Sequence, residues 1–259
     1  MKKSTLFLFL ASLSILSYSQ KYVPFPTENA EWNIAYSTGP NYPYGITTSL
    51  LQYSLRGDTI INEIGYNKIC LNIGTRELPV YRLVGFLREM NKQIFYIGSG
   101  YINAAYWINP QKMKWIKECS SAQLNNNELM LYDFNVKEGE SVQWGYNGDI
   151  IDKIDSVLIG QSYRKRYSFK NSNNLVIEGI GSVVKGLFDK ATPITTCGGS
   201  NMDSEHICFS KNGETVYHNP AFVDCNSTQK WTKKSFSTKL YLVSERKHPI
   251  FFNNLIDPK

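Results

Sequence analysis

The chain has 259 residues, of which 42% are hydrophobic, 14% aromatic and only 19% charged, with a formal charge of +6. That supplies one good core or two small ones and excludes wholesale disorder. The mild basic balance, without a dense basic motif, argues against nucleic acid as a partner.

Residues 1–19 read as a secretory signal peptide. Lys2 and Lys3 form the charged start, the stretch from Leu6 to Leu16 is the apolar centre, and Ser17 and Ser19 are the small residues before a cleavage site at Gln20. The apolar run is too short to span a bilayer, and no later segment is apolar for long enough, so no transmembrane span is expected. No cysteine sits at the cleavage site, which argues against a lipoprotein. Losing Lys2 and Lys3 lowers the charge to +4.

The mature chain begins with an aromatic, proline-rich lead-in containing Tyr22, Pro24, Phe25, Pro26, Trp32, Tyr36, Pro40, Tyr42 and Pro43. The prolines disfavour a central strand. The expected role is an extended segment that lays aromatic rings on the core; an exposed aromatic platform for a ligand is the sharper alternative. Residues 44–55 read as a strand. Residues 58–70 then align without gaps on residues 155–167, with Asp58, Tyr66 and Lys68 falling on Asp155, Tyr163 and Lys165. Both are an Asp-led strand, a short turn and a returning Tyr-x-Lys strand, which suggests one hairpin used twice.

Residues 80–88 and 93–97 form a strand pair around the turn Glu89-Met90-Asn91-Lys92. Residues 109–121 are the best helix candidate, with Asn109 as N-cap, Pro110 in the first turn, and Met113, Trp115 and Ile116 toward the core. Residues 128–134 and 141–146 return to strand around a turn at Lys137-Glu138-Gly139-Glu140.

From residue 150 to 188 the chain reads as successive strands. Gly160-Gln161 turns it, after which Tyr163, Lys165, Tyr167 and Phe169 share one face and Arg164, Arg166 and Ser168 a solvated one. Asn212-Gly213 between two strands predicts a type I′ hairpin. Counting out from that turn sets Lys211 opposite Glu214, Phe209 opposite Val216, Cys208 opposite Tyr217 and Ile207 opposite His218. Residues 229–259 are a basic tail without clear period.

The segments Glu31-Trp32, Gly57-Asp58-Thr59, Leu131-Tyr132-Asp133-Phe134-Asn135-Val136, Ile154-Asp155-Ser156-Val157, Tyr163-Arg164-Lys165-Arg166-Tyr167, Ile177-Glu178-Gly179-Ile180-Gly181-Ser182 and Cys208-Phe209 with Asn212-Gly213-Glu214 cover most of residues 30–225. On them the chain resembles a group of secreted Bacteroidetes proteins, many of which carry a C-terminal type IX secretion sorting domain. The resemblance implies export and no particular activity. The stretch from Trp231 to Lys259 does not look like the Asn-Pro-containing β-sandwich of such a sorting domain, so periplasmic residence is as consistent as surface display.

Histidine is scarce, with only His206, His218 and His248, and no Gly-x-Ser-x-Gly or His-Glu-x-x-His occurs. Carboxylates are the better catalytic candidates. Glu178 with Asp133 or Asp155 could supply the two acids of a glycosidase, roughly 5–10 Å apart; strand-end and turn carboxylates are the plainer reading. Asp149, Asp152 and Asp155 do not match a calcium loop, and Gly179-Ile180-Gly181 marks a bulge or close packing rather than a phosphate loop. No cofactor and no metal are expected.

The five cysteines are Cys70, Cys119, Cys197, Cys208 and Cys225. Export permits disulfides, the odd count leaves one thiol over, and no Cys-x-x-Cys occurs. The expected bond is Cys208–Cys225, because the Asn219-Pro220 turn can fold the chain back beside the hairpin; a recurring cysteine after that hairpin in the resembling proteins agrees. Cys197, freed by Gly198-Gly199, is the competitor. Closing 17 residues contributes about 3 kcal/mol through the unfolded chain.

The sequence therefore points to an all-β, mostly antiparallel meander over residues 20–228, forming a barrel or sandwich with at most one or two short helices. Its expected role is an exported, non-enzymatic envelope or surface module that binds a glycan or an envelope protein, with a carboxylate-based glycan hydrolase as the alternative. It would reside in the periplasm, on the outer-membrane surface or outside the cell. N-terminal sequencing of the exported protein should start at Gln20; a chain still starting at Met1 would overturn the signal-peptide assignment.

Overall fold

The structure is a computed structural model that describes residues 20–38, 47–98, 128–142, 149–188 and 202–230. Among the described residues there are twelve strands and no helix. They are β1 (Ala30–Thr38), β2 (Thr47–Ile61), β3 (Ile64–Asn72), β4 (Tyr81–Met90), β5 (Gln93–Gly98) and β6 (Leu129–Asp133), then β7 (Ile151–Ile159), β8 (Ser162–Phe169), β9 (Leu175–Ile177) and β10 (Gly181–Ser182), and last β11 (Met202–Lys211) and β12 (Glu214–His218). The fold is all-β and antiparallel, as composition and patterning predict. The signal peptide, the helix expected at 109–121, Pro40 to Pro43, His248, Cys119, Cys197 and the basic tail from Trp231 lie outside the described residues.

One eight-stranded sheet runs β12-β11-β1-β2-β3-β4-β5-β6, and a four-stranded sheet runs β10-β9-β8-β7. The large sheet curls into a half-barrel. Bulges bend it: register shifts fall at 55–58 in β2, where Gly57 has φ +75°, and at each of the pairings β3 to β4, β5 to β6 and β1 to β11. An extra residue on one strand kinks it and increases the local twist. Three hairpin turns place both central residues at positive φ: Asn62-Glu63, Asn91-Lys92 and Asn212-Gly213. Asn is the residue that best tolerates this conformation after Gly, so each turn is chemically specified.

Aromatic side chains fill the space between the sheets. Phe25 stacks on Trp32 with centroids 5.7 Å apart, Trp32 meets Phe209 at 5.2 Å, and Phe188 is held edge-on by Tyr53 and Tyr96 at 5.1 and 5.0 Å. Their polar ends bond to backbone. The Trp32 indole donates to the Ile180 carbonyl at 2.9 Å; the Tyr132 hydroxyl donates to the Leu187 carbonyl and accepts from the Ser182 amide at 3.1 Å; Tyr167 donates to the Phe134 carbonyl at 3.0 Å. Burying roughly 200 Å² of a large ring yields about 5 kcal/mol, whereas one such hydrogen bond nets about 1 kcal/mol. Burial supplies the attraction, and the hydrogen bonds set the orientation of the second sheet on the first.

Several sequence expectations shift in register. The strand expected at 44–55 is described from Thr47 and continues through the bulge to Ile61. The strand expected at 141–146 is, within the described residues, a single bridge from Ser141 to Ile150. The two aligned hairpins exist but turn one position apart: β2 and β3 turn at 62–63, so Tyr66 pairs with Thr59, whereas β7 and β8 turn at 160–161, so Tyr163 pairs with Leu158. Tyr66 is buried and Tyr163 is 61% exposed, so the alignment does not transfer environment. In the Asn-Gly hairpin Lys211 does face Glu214, but a bulge at Val216 sets Phe209 opposite Tyr217 and Cys208 opposite His218.

The lead-in behaves as a core segment. Phe25 is buried, which excludes it from an exposed ligand platform. Gly181, at φ +95°, lets β10 pass the Tyr132 ring, where a Cβ would lie 3.0 Å from the ring carbons. Gly181→Ala should therefore lower stability by about 1–3 kcal/mol. Urea unfolding under oxidising conditions checks this; an unchanged midpoint would show that Tyr132 yields freely.

Candidate functional site

The three candidate carboxylates occupy three different environments. Asp155 on β7 accepts a bidentate pair from Arg166 on β8, at 2.9 and 2.7 Å, with Lys153 at 3.8 Å. The Arg166 hydrogen bonds hold its carboxyl below the usual range. Asp133 closes the turn after β6, accepting from the Gln93 amide at 2.7 Å and the Asn135 backbone at 2.9 Å. Glu178 is 1% exposed, in the turn between β9 and β10, and accepts from the Lys165 backbone amide at 3.3 Å. Glu178 and Asp133 both act on Tyr167, whose hydroxyl is pushed up chiefly by burial and then by these two carboxylates. Asp155 is not part of that group. The neighbouring Asp149 is a buried turn anchor, accepting from the backbone amides of Ile150 and Asn171 and from the Ser172 hydroxyl.

Arg164 is not on a solvated face. It is 9% exposed, and its Nη1 donates to the Glu178 carbonyl at 3.0 Å. Its Nε is buried with no hydrogen-bond partner. Burial lowers its pKa, and the Glu178 charge opposes that. Strand alternation alone predicts an outward side chain here; the lead-in overrides it by covering this end of the small sheet. A Cβ on Gly179, at φ +70°, would meet Arg164 Nη1 at 2.8 Å and the Pro24 carbonyl at 2.9 Å. Beside it, Glu89 at the end of β4 accepts from the Phe25 amide at 2.7 Å. Tyr22 lies over the same corner, with the Lys92 ammonium 5.2 Å from its ring. Burial, then Glu89 and Glu178, push its hydroxyl up.

The outer face of the large sheet carries a second constellation that motif reasoning passed over. The register sets Arg88 opposite Phe95, and Tyr66 and Arg88 follow directly on the Asn67–Leu87 pair. Arg88 forms a bidentate pair with Glu128, Tyr66 donates to the same carboxylate, and the Arg88 guanidinium lies 4.6 Å from the Phe95 ring. Glu128 is lowered mainly by Arg88, and Arg88 is raised by Glu128. On the same face Arg56 sits 3.1 Å over the Tyr81 ring. A hydrogen-bonded ladder follows, Asn72 to Gln52 at 2.8 Å and Gln52 to Glu31 at 2.7 Å. Free, buried Cys70 lies among these strands, its thiol raised by burial against the opposing charges of Arg56 and Lys68. Alternation could have paired these side chains only once the 73–80 connection fixed which residue of β4 faces β3.

The expected disulfide is present between Cys208 and Cys225, with Cα atoms 5.4 Å apart. His218 stands opposite Cys208 at the edge of the sheet and is exposed. His206 is fully buried, edge-on to Tyr217 at 5.4 Å. Comparison of the chain with protein-family models, with curated proteins and with solved structures finds no match in any of the three.

Burial pushes His206 down to about 3 from an ordinary 6.5, an effect that nearby backbone at Ser182 and Cys208 offsets only in part. The unfolded chain takes up this proton as pH falls through 6.5, and the folded chain does not until about pH 3. The His206 contribution to stability is therefore complete above pH 6.5 and declines between 6.5 and 3, by on the order of 1.4 kcal/mol per pH unit. Urea midpoints measured across this range should fall with acidity in the wild type and fall less steeply in His206→Leu. Parallel slopes would assign the acid sensitivity to other groups.

Proposed function

We propose that the protein is an exported, non-enzymatic module of the cell envelope or cell surface that binds a glycan or a protein partner. The observation that carries this reading is the separate commitment of each candidate acid: Asp155 to Arg166, Asp133 to its own turn, and Glu178 to a 1%-exposed position under the lead-in. A glycosidase needs one carboxyl as proton donor and another as nucleophile or base, both facing the sugar. Tyr81 and Phe95, backed by Arg56 and Arg88, supply instead the amphipathic aromatic and cationic surface suited to recognition. Export rests on the signal peptide at residues 1–19 and on the resemblance to secreted Bacteroidetes proteins. Among the described residues no helix is long and apolar enough to cross a membrane.

The alternative, a carboxylate-based glycan hydrolase, draws on the joint action of Glu178 and Asp133 on Tyr167. The two readings separate on a glycan array probed with the mature chain, followed by incubation with any glycan retained. Binding without turnover is expected, weakened about tenfold in Tyr81→Ala and Arg56→Ala, the effect of losing roughly 1.4 kcal/mol of ring and cation contact. Turnover that disappears in a folded Glu178→Gln variant would replace the binding module by the enzyme.

A further inference from the structure

Cys208, Cys225 and His218 form the one cluster among the described residues whose ligand atoms could close on a metal ion, with Sγ, Sγ and an imidazole nitrogen all within 4.8 Å of one another. We propose that this site has two states: the disulfide, and, after reduction, a thiolate–imidazole centre for a zinc-class divalent ion.

The geometry comes from three independent pieces of backbone. The bulge at Val216 shifts β12 by one residue and so brings His218, rather than Tyr217, opposite Cys208. The Asn219 amide bonds to the Ile207 carbonyl at 2.8 Å, fixing the end of β12. Contacts besides the disulfide also position Cys225. Its carbonyl accepts from the Asn33 side chain at 2.8 Å, and fully buried Phe222 anchors the returning loop, its amide bonded to the Asn219 carbonyl at 3.1 Å. Opening the S–S bond therefore leaves two sulfurs facing each other beside an exposed imidazole.

A tetrahedral zinc ion with Zn–S of about 2.3 Å and Zn–N of about 2.0 Å places its ligand atoms roughly 3.5–3.8 Å apart. That distance falls inside the 4.8 Å envelope, so small side-chain rotations suffice. Three protein ligands leave the fourth position for water, and His218 at the sheet edge keeps it open to solvent. A soft d10 ion suits two thiolates and an imidazole; a hard oxygen-seeking cation does not. The spacing of 9 residues between Cys208 and His218 and 6 between His218 and Cys225 matches no familiar zinc signature, which is why the sequence pointed to no metal.

The steps balance. A dithiol reductant delivers two electrons and two protons to the Cys208–Cys225 bond, yielding two thiols while itself closing to a disulfide. Zinc then displaces the two thiol protons, so binding releases two protons to solvent and is favoured as pH rises. The ion and the disulfide exclude each other, since each sulfur serves one or the other.

The test uses the full mature chain, reduced anaerobically with a dithiol, freed of reductant and titrated with Co2+ as a spectroscopic stand-in for zinc. One equivalent should give thiolate-to-cobalt charge-transfer and tetrahedral d–d bands, bleached by Zn2+, while the oxidised chain stays silent. The double variant Cys208→Ser with Cys225→Ser, which keeps the other three cysteines, should lose the bands. His218→Gln forms the disulfide normally, and after reduction should bind Co2+ at least about tenfold more weakly, a loss no smaller than that of an outer-sphere partner. Absence of bands in the reduced wild type, including through unfolding, overturns the proposal. So do bands that survive in the double variant, or unchanged affinity in His218→Gln.

Discussion

The sheet-to-sheet contact made by Trp32 and Tyr132 is the constraint on which the remaining structure depends. Each ring is buried between the layers, and each carries a polar group that must find a partner there. Both find it on the segment from Ile180 to Leu187, on the side of the small sheet. The carbonyls and amide they use become available only because Gly181 holds a positive φ against the Tyr132 ring. The large sheet could curl in several ways around an aromatic core; these pairings select the one in which β10 runs beneath Tyr132. Sites at both ends of the half-barrel inherit their geometry from that choice.

At one end, the lead-in is drawn over the β9–β10 turn and converts surface positions into interior ones. Glu89 ties down the Phe25 amide, Pro24 crosses Gly179, and Arg164 is folded under against the Glu178 backbone. A guanidinium with an unpartnered buried Nε costs roughly 1–3 kcal/mol, so this corner is an expense in stability that the aromatic packing offsets. The same enclosure takes Glu178 out of water. That burial is the observation behind the proposed recognition role.

At the other edge, β11 returns from the second sheet to pair with β1, placing late sequence beside early sequence. The loop after β12 then folds across the outer face. Phe222 and Cys225 pack with Ala35, Ile207 and Cys208 in a small core separate from the main one. The Cys208–Cys225 bond adds a covalent staple to this satellite core.

Much of this was legible in the chain. β-branched and aromatic runs, broken by Asn-rich and Gly-containing turns, determine an antiparallel meander, because side-chain alternation and turn chemistry act over a few residues. The Cys208–Cys225 bond followed from the same local logic. Beyond that reach, the reading failed in particular ways. Bulges at Val216 and between Leu55 and Asp58 have no unique sequence mark, yet each shifts every later pairing, moving His218 rather than Tyr217 opposite Cys208. Arg164 reads as exposed because alternation is a property of one strand, whereas its burial depends on a lead-in some 140 residues earlier. Tyr66, Arg88 and Glu128 meet only through the stacking of separate strands. The sequence by itself determined the elements and their turns, whose energies are local; the tertiary structure alone decided register, enclosure and which charged groups share a site, because those depend on contacts between segments far apart in the chain.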